Sequence, residues 1–435
     1  MIIKRLIVGL MIVAGSVFGG CSSGYTNDTG KQMNPLAERY VKLALEVGKH
    51  HDYYIDAYYG PKEWQQQASK RPLTELAEDA QSLLSAIERV SPDREQQLRK
   101  DMLQVQVRSL LAFVEQLGGK QLSFDQESLA LYDAVSGALT EADFDDALAE
   151  LDQLLPGQGD LNTRLDAFQR QFVIPSDKLA QVFDAAISEA RNRTKQYIEL
   201  PSNESFTLEY VTSKPWSGYN WYQGNSHSVI QVNTDFDMQI DRAIDLASHE
   251  GYPGHHVFNS LMEKHLVNGK GWIEYSKYPL YSPLSLLAEG SANYGIEVAF
   301  PQPQRLEFER DVLFKLAELD ASQAERYYQV QSVLSKLSYA GNVAAKRYLD
   351  GQINKQQAIE FLMKYALSDR NKSAQRIDFI ERYRAYVINY NLGQDIVRAY
   401  VEPQADGDHD KRWQVFSQLL ANPKSASMMQ TRAGD

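Results

Sequence analysis

Apolar residues recur at i, i+3, i+4 and i+7 along most of this chain of 435 residues, with charged residues on the opposite faces. This spacing is that of amphipathic α-helices, each of which must bury its apolar face against neighbouring elements. The pattern predicts helices over residues 35–50, 74–92, 95–118, 140–154, 177–197, 304–338, 341–350, 355–367 and 374–400. We therefore expect a mainly α fold, and the length of the chain allows either one large domain or two to three ordinary ones.

The helical pattern stops at Pro201-Ser202-Asn203. Residues 206–234 are rich in aromatic and β-branched side chains and are interrupted by glycine, and 228–233 is the best strand candidate. Because helical spacing resumes directly afterwards, we expect a small β-sheet insert beside the helix that follows. The expected organisation is an N-terminal helical region over 35–200, a central core over 201–300, and a C-terminal helical region over 301–435 that packs on the core.

The first 20 residues have the features of a signal peptide. Lys4 and Arg5 precede an apolar stretch that is too short to span a membrane. The stretch ends in small residues followed by Cys21, as in a bacterial lipoprotein processing site, where the cysteine is acylated. We expect residues 1–20 to be removed, Cys21 to be lipidated, and residues 21–34 to form a flexible tether.

Ser22, directly after this cysteine, is similar to the pattern for sorting to the outer membrane. We predict a lipoprotein of the bacterial cell envelope, in the outer membrane and facing the periplasm, with its N-terminal lipid as the only membrane attachment. Cys21 is the only cysteine in the chain, so the sequence predicts no disulfides.

Charge excludes one class of partner. The chain has a net charge of −12, which becomes about −14 without residues 1–20, because that segment holds two basic residues and no acid. Nothing in the sequence concentrates lysine and arginine on one face, so nucleic acid is not an expected partner.

Three of the eight histidines lie within His249-Glu250-Gly251-Tyr252-Pro253-Gly254-His255-His256. Neutral imidazole is the commonest metal ligand, and His-Glu at the end of an apolar helical run resembles the start of a zinc-protease motif. The standard motif places its second histidine four residues after the first, but Pro253 occupies that position here. A regular helix cannot continue through this segment without a kink.

A two-residue insertion explains the spacing. Without Tyr252 and Pro253 the segment reads His-Glu-Gly-Gly-His, with His255 in the position of the second ligand. The sequence favours His249 with His255 over His249 with His256 as the metal-binding pair. The histidine that does not bind the metal is left to contact substrate or to support the ligands.

Glu289 is the candidate third ligand. It lies in Ala288-Glu289-Gly290-Ser291-Ala292-Asn293, a helical segment of apolar and small residues in which an unpaired carboxylate would be costly to bury. The small residues around it would let another helix approach closely. A salt bridge with a neighbouring helix is the alternative role for this acid.

The motif with its following Glu-Gly-x-Ala helix resembles the bacterial domain-of-unknown-function 885 family. The resemblance extends over 216–224, 228–235, 281–283 and 386–393. It implies a zincin-like fold and a metal-dependent hydrolase that acts on peptides. Many members of the family are lipoproteins.

A zincin mechanism assigns roles to further residues. One Zn²⁺ ion is the expected cofactor and a peptide the expected substrate. Glu250 would act as the general base, and Tyr390, which resembles a C-terminal tyrosine of related metallopeptidases, would donate to the oxyanion. The strand with Ser228 and Val232 would be the edge strand that binds an extended peptide, and His227 beside it would bind a substrate carboxylate.

Two other classes of function remain open at this stage. One is a helical binding or scaffold lipoprotein without catalytic activity. The other is a metal-dependent amidase or esterase that acts on envelope material. Glu250 is expected to act as a general base without binding the metal. This favours an enzyme, because a site that only binds metal has no use for such a base.

Overall fold

The computed structural model describes residues 28–214, 216–235 and 237–430. Helices dominate this part of the chain, which confirms the mainly α class. In chain order the helices are α1 (Asp28–Val47), α2 (Lys62–Gln67), α3 (Leu73–Glu88), α4 (Arg94–Leu117), α5 (Phe124–Tyr132), α6 (Ala142–Leu154), α7 (Leu161–Gln169), α8 (Leu179–Tyr197), α9 (Asp241–Leu246), α10 (His255–Met262), α11 (Pro283–Ala299), α12 (Gln304–Phe308), α13 (Phe314–Leu316), α14 (Ala324–Ser335), α15 (Ala340–Leu349), α16 (Lys355–Tyr365), α17 (Arg370–Tyr383), α18 (Ile388–Ala405), α19 (His409–Ala421) and α20 (Ala426–Gln430).

Side-chain caps determine where several of these helices begin. The carboxylate of Asp93 accepts from the backbone N–H of Gln96 at the start of α4. Ser282 caps α11 in the same way, and Pro283 in the first turn needs no hydrogen-bond partner for its nitrogen. Caps of this kind satisfy N–H groups that the helix itself leaves unpaired.

The strands form two small sheets. In the first, β1 (Ile55–Tyr58) pairs antiparallel with β5 (Lys277–Pro279). In the second, β4 (His227–Asn233) pairs in parallel with β2 (Ser205–Val211) and antiparallel with β3 (Gly218–Gly224), in the order β2-β4-β3. The predicted strand therefore exists, but its expected position at an edge was wrong: β4 has a neighbour on each side, and the edge strands are β2 and β3.

Two long predicted helices are interrupted. The segment 304–338 breaks between α13 and α14, where Glu318 adopts a left-handed conformation with φ of 56° and Asp320 caps the next turn. The segment 374–400 breaks after α17, where Arg384 has φ of 52°. The carboxylate of Glu127 in α5 accepts from the Arg384 side chain and from the backbone N–H of Ala385. This contact is long-range, so the local apolar spacing gave no sign of the break.

The N-terminal boundary also differs from the prediction. Residues 28–34, which were expected to belong to the flexible tether, lie in α1. The signal peptide, Cys21 and the first part of the tether lie outside the described residues. None of the described helices has both the length and the apolar character needed to cross a membrane.

Buried polar contacts link the N-terminal helices to the centre of the protein. The guanidinium of Arg99 in α4 donates to both carboxylate oxygens of Glu274, at 2.6 Å and 2.9 Å, and both side chains are 1% exposed. Ser109 in the same helix donates to the carbonyl of Tyr281, directly before α11. These contacts fix the segment that leads into α11 against the helical layer formed by α4.

Helices α11 and α18 touch through their backbones. A Cβ atom added to Gly290 would lie 2.3 Å from the carbonyl carbon of Gly393, and one added to Gly393 would lie 2.8 Å from the carbonyl oxygen of Leu286. Only glycine fits at such a distance, so these two residues set how closely the helices approach. The contact places Glu289 of α11 beside the segment that begins α18.

We predict that Gly290→Ala destabilises the protein by about 1–3 kcal/mol, because an added methyl group in a close-packed contact forces the helices apart. Alanine is intrinsically better than glycine inside a helix by ~0.5–1 kcal/mol, so the same substitution without the contact would be stabilising. Chemical denaturation measures the difference. Gly137→Ala, in the exposed loop between α5 and α6, is the control for the substitution outside a close contact, since nothing lies within 4 Å of its added Cβ. A Gly290→Ala protein as stable as wild type would contradict the helix contact.

Candidate metal centre

The helix that carries His249 does not continue through the motif. Helix α9 passes into a π-helical turn over Ala247–Gly251, and the chain bends before α10 begins at His255. The backbone N–H of Gly254 donates to the carbonyl of Ser248 at 2.9 Å and closes the bend. A Cβ on Gly254 would lie 1.9 Å from the carbonyl oxygen of His249, so no other residue fits there. The bend brings His255 back beside His249.

His249, His255 and Glu289 converge at this bend. The two imidazole rings are perpendicular, with centroids 4.7 Å apart. The Nε2 atom of His249 is 3.3 Å from Oε2 of Glu289, and Nε2 of His255 is 3.7 Å from Oε1. One ligand atom from each residue lies within 4.8 Å of the others. The structure thus brings together the histidine pair that the sequence favoured and the predicted third ligand.

The three side chains fit a zinc ion. Two bonds of 2.0–2.1 Å at a tetrahedral angle place the ligand atoms about 3.3–3.4 Å apart, close to the two nitrogen–oxygen distances found here. Among the described residues, the buried Oε2 atom of Glu289 has no hydrogen-bond partner. Two imidazoles and one carboxylate are also the ligand set of many catalytic zinc sites, which keep a fourth position open.

Burial and mutual charge set the protonation of the three groups. Burial would raise the pKa of Glu289, but His255, His249 and Tyr386 facing its carboxylate lower it to about 2. Burial would lower the pKa of His249, yet its contact with Glu289 and the charge of Glu250 outweigh burial and raise it to about 9. For His255, burial outweighs the attraction of Glu289 and lowers the pKa to about 4. A proton on His249 and a metal ion would therefore compete for the same nitrogen.

Asn293 and Tyr386 hold the ligands in place. The Oδ1 atom of Asn293 lies 2.8 Å from Nδ1 of His249, and the Asn293 amide donates to the carbonyl of Tyr390, which fixes its orientation. This contact directs the Nε2 atom of His249 towards Glu289. The hydroxyl of Tyr386 donates to Oε1 of Glu289 at 2.7 Å.

Glu250 lies next to the ligands but is not one of them. Its backbone carbonyl accepts from the Asn220 amide on β3 at 2.6 Å. A Cβ on Gly218, at the start of β3, would lie 3.2 Å from Oε1 of Glu250, so the carboxylate reaches the strand. Burial raises the pKa of Glu250 to about 7, against the opposing charge of His249. A carboxyl group with a pKa near neutrality can both accept and release a proton.

A cavity of about 510 Å³ opens over the centre, within the range typical of ligand pockets. His249, His255, Glu289 and Glu250 line it, together with the edge strand β3. Tyr390, which the sequence proposed as a donor to the oxyanion, also lines the cavity. Burial, together with the charge of Glu289, raises its pKa well above the usual value, so its hydroxyl keeps the proton and can donate a hydrogen bond.

His256, the alternative metal ligand, lies elsewhere. It is 0% exposed and faces away from the cavity, with Nε2 3.2 Å from Oε2 of Glu204 and Nδ1 2.8 Å from the hydroxyl of Ser228. The Tyr252 hydroxyl donates to the same Glu204 oxygen at 2.5 Å. The structure therefore does not bring His256, the less favoured candidate ligand, to the other two: successive residues in a helix point about 100° apart, so at the start of α10 His255 faces the cavity and His256 faces the interior.

The three residues predicted to bind substrate do not reach the cavity. Ser228 is fully buried against His256, Val232 is 1% exposed within the hydrophobic core, and His227 lies 3.1 Å from the Ser205 hydroxyl. The physical reason is the sheet order, which places β4 in the middle and leaves β3 to line the cavity. The aromatic and glycine-rich sequence of β3 could have indicated this, since Gly218 permits the approach of Glu250.

Sequence reasoning also missed Asn293, Tyr386, Asp56 and Arg376. Asn293 carried a signal, because it lies four residues after Glu289 and hence on the same helix face. Tyr386 belongs to the segment 386–393 that resembles the domain-of-unknown-function 885 family, but the sequence indicated a catalytic role only for Tyr390. Asp56 and Arg376 come from β1 and α17, far away in the sequence, and no motif marks either.

The overall fold is similar to that of a solved protein described as a "putative lipoprotein" from Colwellia psychrerythraea. The TM-score is 0.52 at 15% sequence identity, and the match covers 83% of this chain and 68% of that chain. At this identity the likeness shows a shared fold alone. No protein-family model and no curated protein matches the chain.

We predict that Asn293→Ala weakens zinc binding by about 10–100-fold, the usual effect of removing a group that orients a metal-binding histidine. Competition with a chromophoric chelator measures the affinity. Asn391→Ala is a suitable control, because the Asn391 amide is exposed and donates to the Ser338 carbonyl. Equal affinities of the Asn293→Ala protein and the wild type would show that the hydrogen bond does not orient His249.

The two neighbouring histidines provide a second prediction. His255→Ala should abolish tight binding of one zinc ion per chain. His256→Leu should retain it but lose about 1–3 kcal/mol of stability, because Glu204 and Ser228 lose a buried partner. Metal analysis and denaturation of both variants separate the effects. Loss of zinc from the His256→Leu protein, with retention in His255→Ala, would contradict the geometry of the bend.

Proposed function

We propose that the protein is a zinc-dependent peptidase anchored in the bacterial cell envelope. The observation that carries the proposal is the convergence of His249, His255 and Glu289 beside a buried acid, Glu250, that reaches into the same cavity without joining the ligands. A scaffold protein that only bound metal would have no use for that acid.

In this proposal His249, His255 and Glu289 hold one zinc ion. The chemistry contributed by such an ion is Lewis-acid activation of water and of the scissile carbonyl. Glu250 accepts the proton of the attacking water and delivers it to the leaving amine. Tyr390 donates its hydroxyl hydrogen to the carbonyl oxygen, where negative charge develops during attack.

Strand β3 takes the substrate-binding role that the sequence had assigned to β4. Among the described residues β3 pairs with β4 alone in this sheet, so its outer edge is unpaired there, and of the two edge strands β2 and β3 it is β3 that lines the cavity. An extended peptide can add to such an edge through backbone hydrogen bonds. Glu250 lies against Gly218 of the same strand, which would place a bound peptide bond close to the base.

The location is part of the proposal. The signal-peptide features, Cys21 and the similarity of fold to a protein described as a lipoprotein support a lipid-anchored envelope protein. Ser22 supports the outer membrane, facing the periplasm, as the more specific site.

The test is Glu250→Gln, which keeps the size of the side chain but removes its capacity to accept a proton. We expect one zinc ion per chain in both proteins and a fall in peptide hydrolysis by about 10²–10⁴-fold in the variant. A peptide library analysed by mass spectrometry measures the activity, with Glu307→Gln in α12 as the control. Wild-type protein that takes up no zinc would contradict the proposal. Hydrolysis of esters or non-peptide amides alone would indicate an amidase or esterase instead.

A further inference from the structure

Arg376, in α17, lines the cavity with a charge that the protein does not pair. Its guanidinium lies over the ring of Phe379, 4.9 Å from the centroid, and it forms no hydrogen bond or ion pair with any residue that the structure describes. The other arginine of the cavity wall, Arg242, lies 3.3 Å from the Asp245 carboxylate. Arg376 thus differs from its counterpart in the same cavity.

An unpaired guanidinium in this position is costly. Arg376 is partly buried, and burial lowers its pKa, although arginine stays charged in proteins. Removing a charge from water without a partner is unfavourable. The planar fork of five N–H groups matches a carboxylate, so an anionic ligand would supply the missing partner.

The acids of the cavity are already engaged. Asp56 accepts from the Tyr219 hydroxyl, and Asp245 pairs with both Arg242 and Arg305. Apart from the metal ligand and the base, each carboxylate that the structure describes in the wall thus has at least one hydrogen-bond or ion-pair partner, whereas the Arg376 guanidinium has neither. The unpaired charge is positive.

Arg376 is also near the reacting groups. Arg376 lines the same cavity as Tyr390, Glu250 and Glu289. A group bound to Arg376 would share the cavity with the peptide bond to be cleaved.

Building on the proposed peptidase function, we propose that Arg376 binds the C-terminal carboxylate of the substrate. The protein is then a carboxypeptidase, which removes residues from the free C-terminus of peptides. A carboxylate on an internal aspartate side chain offers the same chemistry, and the experiment separates the two sources.

The hydrolytic test compares three peptides: N-acetyl-Ala-Ala-Ala-Phe, its C-terminal amide, and the amide of N-acetyl-Ala-Asp-Ala-Phe. We expect wild-type kcat/KM to favour the free carboxylate by about 100-fold, mostly through KM, as for a desolvated charge pair. In Arg376→Gln this ratio should fall to about 3-fold or less, with Arg376→Lys between the two. Arg370→Gln, an exposed position on the same helix, should keep the wild-type ratio.

A binding test is independent of turnover. The same peptides are titrated calorimetrically into zinc-loaded Glu250→Gln protein with and without Arg376→Gln, and thermal melts confirm that each variant is folded. We expect the free carboxylate to bind at least about 10-fold more tightly than the amide, and only when Arg376 is present.

The outcomes separate the two proposals. Hydrolysis of peptides without regard to the C-terminal carboxylate would overturn the role of Arg376 and leave the peptidase function in place. Binding of the carboxylate through Arg376, without hydrolysis of any peptide by the wild type, would overturn the peptidase and keep the carboxylate site. Dependence on Arg376 that is confined to the aspartate peptide would overturn the assignment to the C-terminus.

Discussion

The ionised carboxylate of Glu289 lies in the interior, and the groups that keep it ionised come from several separate segments. A buried carboxyl group without such partners would take up a proton, since burial raises its pKa. Here the turn after α9 supplies His249, the first residue of α10 supplies His255, and the segment before α18 supplies Tyr386, so that the pKa falls to about 2. The backbone contact between Gly290 and Gly393 brings α18 close enough for this arrangement. The geometry of the candidate centre and the packing of the central helices therefore depend on each other.

The bend after His249 gives neighbouring histidines different environments. Gly254 allows the chain to pass within contact distance of the His249 carbonyl, and α10 then restarts at His255. From that starting point His255 faces the cavity, whereas His256 meets Glu204 in the interior. A continuous helix could not have put His249 and His255 on one face, because residues six positions apart differ by about 240° in direction. On the buried side of the bend, Tyr252 and His256 contact Glu204. These contacts also hold the position of His255, which faces the cavity.

The features that the sequence predicted are those with a local signature. Helical spacing indicated the mainly α class, and the spacing of the motif favoured His255, which the structure places with His249 and Glu289. Long-range contacts left no such signature. The order of the three strands, which puts β4 in the middle and leaves β2 and β3 at the edges, depends on the parallel pairing of β2 with β4, whose paired residues lie 22 positions apart in the sequence. The break at Arg384 depends on Glu127, from a helix more than 250 residues earlier.

If the substrate is a peptide, as we propose, the charges of the cavity influence which end of the peptide binds there. A C-terminal carboxylate approaching Glu250 is repelled by that acid, and the net charge of −12 on the whole chain adds to the repulsion, whereas a zinc ion held by Glu289 would attract the carboxylate. A cation about 4 Å from the carboxylate attracts it by roughly 4 kcal/mol at an effective dielectric constant near 20. This attraction is as large as the repulsion from one acid at the same distance. Arg376 is suited to provide this attraction because, within the described part of the cavity wall, it is the arginine whose charge is not already neutralised. Salt screens a partly buried pair of this kind less than it screens the surface charges, so the local attraction persists at ionic strengths that suppress the long-range repulsion.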